Sequence, residues 1–285
     1  MNQQTSQPAE KSIGDIIRQA NNLSSDQVER VLAHQKESGL KFGEAAVALG
    51  FIRREDVLWA LSQQFHYPYT AEAANSLASE LVVATRPFSD EAEVFRDLRS
   101  QLLANALNGE GVRRALAVIS PNTGDGKSFF CANLAVAFSQ LGGRTLLVDA
   151  DMRTPRLHEI FGITSNNGLS SILSGRSETN VIRPIDELPS LYLLPVGVTP
   201  PNPLELVQKA SFGLLLNELL LKFDYVIVDT PAATHGADAR VIAAKCGAVV
   251  AVGRKAATRT AAMQKLLDSV SKSTIKVAGV VLNDV

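Results

Sequence analysis

The sequence predicts an α/β protein, a doubly wound and mostly parallel β-sheet preceded by a small all-α domain. Three observations predict it. Short apolar runs recur at 114–119, 144–149, 191–194, 224–228, 247–252 and 276–282, separated by stretches of helical length. Strands of a parallel sheet read as continuous apolar runs because both faces are covered, and the helices between them supply the cover. The run at 114–119 passes through a glycine-containing loop straight into the helical segment FFCANLAVAF. Residues 12–64 carry an internal repeat whose apolar spacing is helical.

Composition bounds the reading. With 285 residues, 46% hydrophobic and 20% charged, the chain is long enough for two unequal globular domains. Lys and Arg number 28 against 29 Asp and Glu, a net charge of −1 that gives no long-range field to recruit nucleic acid, so no nucleic-acid partner is expected. Cys131 and Cys246 sit in apolar segments without ligand-type spacing and read as small core residues. The polar start MNQQTSQPAEKS has no apolar core, and the longest apolar stretches are broken by Asn217, Glu218 or Gly, so a cytoplasmic protein is expected.

Taken in order, residues 1–10 have almost nothing to bury and read as a disordered tail. Residues 11–70 form a tandem-repeat helical module. An offset of 29 superimposes Ile13/Phe42, Gly14/Gly43, Asp15/Glu44, Leu23/Ile52, Val28/Val57, Leu32/Leu61 and Gln35/Gln64. Each unit reads as a short helix, a turn at Asn21 or Gly50, and a longer helix with Val28 and Leu32, or Val57 and Leu61, on its inner face. Ser24 and Gln27 fit a capping box. From Pro68 to Pro87 the pattern loosens into an Ala-, Ser- and Thr-rich stretch, and 71–88 reads as a linker. The second domain spans 89–285, opening with a helix over 89–108.

The loop SPNTGDGKS (120–128) lies between a strand and a helix, the context a phosphate-binding P-loop needs. Glycines at 124 and 126 let backbone N–H groups turn inward, Lys127 neutralises terminal phosphates, and the Ser128 hydroxyl suits magnesium. Thr123, Gly124, Asp125, Gly126, Lys127, Ser128 and Phe129 are therefore assigned to nucleotide binding. Pro121 replaces the first glycine of the usual pattern. TLLVDAD (145–151) and YVIVDTP (225–231) place Asp149, Asp151 and Asp229 at strand C-terminal ends, where ligands of such sheets bind. ATP and Mg2+ are the ligands expected. Helix capping is the alternative for each Asp taken singly, and Asn283 reads either as an adenine contact or as a turn residue.

These residues resemble the bacterial tyrosine kinases of exopolysaccharide synthesis, on a MinD/ParA-like P-loop fold, and within them the stand-alone EpsG-type autokinases. The resemblance covers 89–285. It rests on SPNTGDGKS, on LLVDADMRTPRLHEIFG (146–162), on PPNPLELV (200–207) and on DYVIVDTP (224–231). It implies that Lys127 polarises the phosphates, that Ser128, Asp151 and Asp229 hold magnesium, and that Asp149 orients or deprotonates a tyrosine hydroxyl. It also implies that Glu93-x-x-Arg96-x-x-Arg99 mediates self-association. The family's activating partner is a membrane-embedded chain-length determinant of the Wzz kind, which would bring the chain to the inner membrane. The family's C-terminal tyrosine cluster has no counterpart among the tyrosines of this sequence, Tyr67, Tyr69, Tyr192 and Tyr225, of which the first two read either as reachable or as packing the end of the helical module. A MinD/ParA-like ATPase switch and a nucleotide-binding scaffold are the rival readings. The MinD-type loop carries an extra lysine that residues 121–125 do not have.

The repeat in 12–64 resembles the N-terminal module of the MshE and GspE type of secretion ATPases, some of which bind cyclic di-GMP. Those binders open each unit with Arg, whereas Ser12 and Lys41 stand here and Asn21 replaces a glycine. A docking module is the leading expectation and cyclic di-GMP the alternative.

Overall fold

The computed structural model describes residues 12–64, 76–107, 113–164, 166–176, 179–271 and 274–284. The expected tail, Tyr67, Tyr69 and residues 71–75 lie outside them. The chain divides into two compact units, Met1–Ala74 and Asn75–Val285.

Among its described residues the first unit holds four helices, α1 (Ile13–Ala20), α2 (Ser25–Ser38), α3 (Phe42–Ala48) and α4 (Arg54–Gln64). The repeat survives as a repeat of caps. The Ser12 hydroxyl accepts from the Asp15 N–H, and Lys41 N–H donates to Glu44 29 residues later. Ser24 and Gln27 form the full capping box, while in the second unit only the return bond from Arg53 N–H to Asp56 is made, at 2.8 Å. Gly43 lets the helices close: a Cβ there would stand 2.7 Å from a Val57 methyl. One core assignment is corrected. Leu32 is 45% exposed and Val31 fully buried, because positions three and four beyond Val28 flank it on the same face and the core lies on the Val31 side.

The second unit is built on seven strands, β1 (Ala115–Ile119), β2 (Thr145–Asp149), β3 (Arg183–Ile185), β4 (Leu188–Leu194), β5 (Tyr225–Asp229), β6 (Gly247–Arg254) and β7 (Lys276–Asn283), in the order β3-β4-β2-β5-β1-β6-β7. Every pairing is parallel except β3 with β4. Its helices are α5 (Val82–Thr85), α6 (Asp90–Leu102), α7 (Lys127–Ser139), α8 (Leu157–Ile160), α9 (Leu169–Leu173), α10 (Pro203–Gln208), α11 (Ala210–Lys222), α12 (Asp238–Cys246) and α13 (Thr260–Ser271). Alternate residues of the central strands feed two cores: Leu116, Val118 and Leu147 lie with α5–α7, and Ala117, Ile119 and Val148 with α11–α13. This is the doubly wound sheet predicted from the apolar runs.

Three details differ from expectation. Strand β3 was not foreseen, being only Arg-Pro-Ile, and its proline lacks the donor that an interior strand needs and so suits an edge. The helix expected over 89–108 stays α-helical to Leu102 and then loosens into a π-helical turn, Leu103–Leu107. Part of the expected linker 71–88 is core. Residues 81–84 are buried, and the amide of buried Asn133 clamps them, accepting from Val83 N–H at 3.0 Å and donating to Glu80 C=O at 2.8 Å. A four-residue apolar run is too short to declare a period, so the flanking prolines dominated the reading.

Candidate active site

Because β1, β2 and β5 are neighbours in the order β2-β5-β1, their C-terminal ends deliver the phosphate loop and the acidic residues to one place. Asp149 and Asp229 are direct register partners across β2 and β5. The loop over 120–126 leads into α7, whose first residue is Lys127, 6% exposed. Ser128 Oγ donates to Asp229 Oδ2 at 2.5 Å. Gly124 and Gly126 have φ of 85° and 92°, the left-handed region that glycine occupies without strain. A Cβ on Gly126 would lie 2.0 Å from Asn283 Nδ2, whereas nothing stands within 4 Å of one on Gly124. Beside the loop opens a cleft of 730 Å3, walled by Thr123, Lys127, Ser128, Asp151 and, on an apolar side, by Phe95, Phe129 and Leu282 among others.

These residues fit a magnesium nucleotide. The loop presents backbone donors at a helix N-terminus, its ammonium group is buried, and the hydroxyl and carboxylates are hard oxygen ligands. Among the described residues no three His, Cys, Asp or Glu side chains form a closed metal cage. Magnesium does not need one, since it keeps several waters and takes one or two carboxylates plus phosphate oxygens.

Electrostatics follow from burial. Asp149 is held well above the usual carboxylate range, first by burial and then by repulsion from Asp229 and Asp151, which the N–H groups of Leu157 and Asp151 only partly offset. Asp229 rises to about 6 by burial, with Lys127 and the Ser128 hydroxyl pulling back. Burial and the Asp229 charge likewise push the Cys131 thiol up. Cys131 is the buried residue expected, but it lies one turn beyond Lys127 on the same helix face and hydrogen-bonds Asp229.

Several assigned residues also have side-chain partners within the chain. The Asp125 side chain is 3% exposed and is spent inside the loop, accepting from Asn122 N–H at 2.8 Å and from the Thr258 hydroxyl at 2.7 Å. The Asn283 amide leans on Gly126 and donates to Asp125 C=O at 3.4 Å, so here it clamps the loop. Asp149 is fully buried, its oxygens accepting from Asp151 and Leu157 N–H groups at 3.1 and 3.2 Å, while Asp151 faces the cleft. Arg96 pairs with Glu93 at 2.9 Å and also donates to Pro87 C=O, and Arg99 donates to Ala137 C=O at 2.6 Å. That triplet therefore has partners within the chain.

Sequence reasoning missed the braces. Thr258 follows β6 and holds Asp125, and His235 Nε2 lies 2.8 Å from Thr123 Oγ1. The 3-10 turn Ala233–His235 is tied to the loop by Ala233 N–H on Ser120 C=O and Thr234 N–H on Pro121 C=O. Arg153 makes a bidentate pair with Asp238 at 3.2 and 3.1 Å. No spacing rule marks such residues, because each partner comes from a distant strand end.

Fold and site together define a P-loop NTPase domain of the ParA class. A family model described as ParA, NUBPL iron-transfer P-loop NTPase, matches residues 111–284. CapB of Staphylococcus aureus, which carries a tyrosine-protein kinase name, is 34% identical over 73% of this chain and 90% of its own length. The tyrosine-protein kinase CpsD of Streptococcus agalactiae is 34% identical over 60% of this chain and 76% of its length. The tyrosine-protein kinase wzc of Salmonella typhimurium is 33% identical, and there the match spans only 28% of the longer relative. Among solved structures, the chimerical protein CapA2B2 is 35% identical with a TM-score of 0.67, covering 72% of this chain and 90% of that one. The kinase domain of Escherichia coli tyrosine kinase ETK is 27% identical, also at 0.67, covering 72% and 80%. MinD of Pyrococcus horikoshii, solved with Mg-ADP, is 23% identical at 0.52, covering 60% and 70%, and shares the fold. The chain belongs to the bacterial tyrosine-protein kinase family.

Proposed function

We propose that this chain is an ATP- and Mg2+-dependent protein-tyrosine kinase regulating the polymerisation, export and chain length of an exopolysaccharide. The observation that carries the reading is the convergence of Lys127, Ser128, Asp149, Asp151 and Asp229 at the ends of adjacent strands beside an open cleft. Loop N–H groups and Lys127 bind the phosphates. Ser128, Asp151 and Asp229 hold Mg2+, which when bound neutralises charge on the transferring phosphoryl group. Asp149, the carboxyl with raised proton affinity, takes the tyrosine proton. Little further chemistry is needed, since aligning reactants is worth roughly 7–11 kcal/mol of barrier.

Self-association would run through Glu93, Arg96 and Arg99 if a neighbouring subunit exchanges for their intrachain partners. Among the described residues no helix is long and apolar enough to cross a membrane. Recruitment to the inner membrane would then come from a membrane-embedded chain-length determinant. The test is incubation with Mg2+ and labelled ATP: phosphotyrosine on this chain or on candidate partners is expected, and none with Lys127→Met. Phosphate release without phosphotyrosine would instead support an ATPase switch.

A further inference from the structure

The segment after β5 does more than end a strand. Gly236 has φ 135° and ψ −150°, a backbone that side-chain-bearing residues rarely adopt, and a Cβ there would sit 3.3 Å from Asp238 Oδ2. This turn delivers Asp238, the first residue of α12, to a site where it is 1% exposed. Its carboxylate meets the Arg153 guanidinium in fork geometry, Nε on Oδ1 at 3.2 Å and Nη2 on Oδ2 at 3.1 Å. A buried carboxylate paired this way holds its partner firmly, because separating the two would strand a charge away from water.

Arg153 is in turn part of the cradle of the cleft-facing carboxylate. Its N–H donates to Asp151 Oδ1 at 3.1 Å, the Thr154 N–H donates to the same oxygen at 2.9 Å, and the Thr154 hydroxyl donates to Oδ2 at 2.9 Å. We infer that Asp238 is a positioning residue for the kinase reaction. By anchoring Arg153 it fixes the two backbone donors that aim the Asp151 carboxylate into the cleft. It touches neither nucleotide nor acceptor. The inference rests on the reading of Asp151 as a magnesium carboxylate.

The consequence is a specific dependence on metal. Outer partners of metal ligands typically contribute 10–100-fold in metal affinity, so Asp238→Asn should raise the Mg2+ concentration needed for half-saturation by about tenfold. Arg153→Lys keeps the charge but loses the fork, and should shift the same quantity in the same direction.

The experiment titrates Mg2+ into full-length protein holding N-methylanthraniloyl-ATP and follows nucleotide fluorescence, for wild type, Asp238→Asn, Arg153→Lys and Asp151→Asn, with thermal melts as a check of folding. The expected result is a right-shifted Mg2+ response in all three variants, largest for Asp151→Asn, with metal-free nucleotide affinity unchanged in Asp238→Asn and Arg153→Lys. If Asp151→Asn shifts the response while Asp238→Asn and Arg153→Lys match wild type, the positioning role is wrong and the magnesium reading stands. A wild-type response from Asp151→Asn removes the magnesium reading and this inference with it. Equal weakening with and without metal makes Asp238 merely structural. Should Asp238→Asn melt before the assay, Arg153→Lys decides.

Discussion

The two units of the chain handle their carboxylates in opposite ways. In the helical module, Asp15, Glu44 and Asp56 sit at helix N-termini, near surface water, where a backbone N–H or cap hydroxyl and the helix dipole meet their charge. In the sheet domain, Asp149 and Asp229 are fully buried side by side, and their proton affinity rises because burial, with repulsion from neighbouring carboxylates, exceeds what nearby donors and Lys127 supply. The first arrangement stabilises a fold. The second holds unfavourable charge in readiness for a cation, and such a concentration marks a functional site rather than a structural one.

The contrast can be broken most directly at the cation inside the second cluster. Lys127→Met should lower phosphotyrosine formation by about 10^3-fold or more, because the charge on the phosphates then has no fixed counterpart. The measurement is anti-phosphotyrosine signal or labelled phosphate incorporation with time. Persistent labelling would mean that the buried ammonium is a fold element like the caps.

Next in size is Asp149→Asn, which should separate activity from stability. Removing a general base costs roughly 10^2–10^4-fold in rate, so phosphotransfer falls while nucleotide binding holds. Stability moves the other way. A carboxyl whose folded proton affinity is raised contributes stability that is present below its unfolded value, near pH 4, and lost as pH rises through the folded one. The variant lacks that loss, so it should melt higher than wild type in metal-free buffer at pH 8 and no higher at pH 4. A lower melting temperature at both would place Asp149 among stabilising carboxylates.

Asp229 gives a narrower window. With its carboxyl raised to about 6, metal-free wild type should lose stability as pH climbs from about 4 through 6, and Mg2+ should restore it above that range by binding the ionised form. Thermal melts with and without Mg2+ across pH 4–8 check this. A curve flat above about pH 5 that falls only toward lower pH would mean that Asp229 behaves as an ordinary paired carboxylate.

The same contrast explains what could be read without coordinates. Apolar runs and the loop SPNTGDGKS announce the central strands and the phosphate site because burial on both faces and close backbone approach constrain residue type at those positions. Asp149, Asp151 and Asp229 were legible because strand ends locate them. Thr258, His235 and Asp238 were not, since a brace is defined by a partner far along the chain. Asp125 and Asn283, which the sequence assigns to nucleotide binding, also use their side chains to hold the loop, a role that the motif does not announce. The 81–84 run was lost in a proline-bounded stretch, and Leu32 was preferred to Val31 because helical spacing alone does not say on which side of Val28 the core lies.

The smallest effects belong to the module, and there the two repeats test each other. Gly43→Ala should cost about 1–3 kcal/mol, as its Cβ would press on both Val57 methyls at 2.7 and 3.1 Å. Ser24→Ala should cost about 1 kcal/mol by losing the hydroxyl that accepts from Gln27 N–H. Asp56→Ala in the second repeat should cost less. There the N-cap position is Arg53, which has no side-chain oxygen to accept from the helix, so the substitution removes the return bond to Arg53 N–H and an exposed ion pair with Arg53 at 3.6 Å, a pair worth little in water. The chain's single tryptophan, Trp59, packs against this module's core, so fluorescence-monitored unfolding reads the module directly. All three variants should retain wild-type nucleotide binding. Equal losses from Ser24→Ala and Asp56→Ala would show that the half-box of the second repeat does the work of the full box in the first.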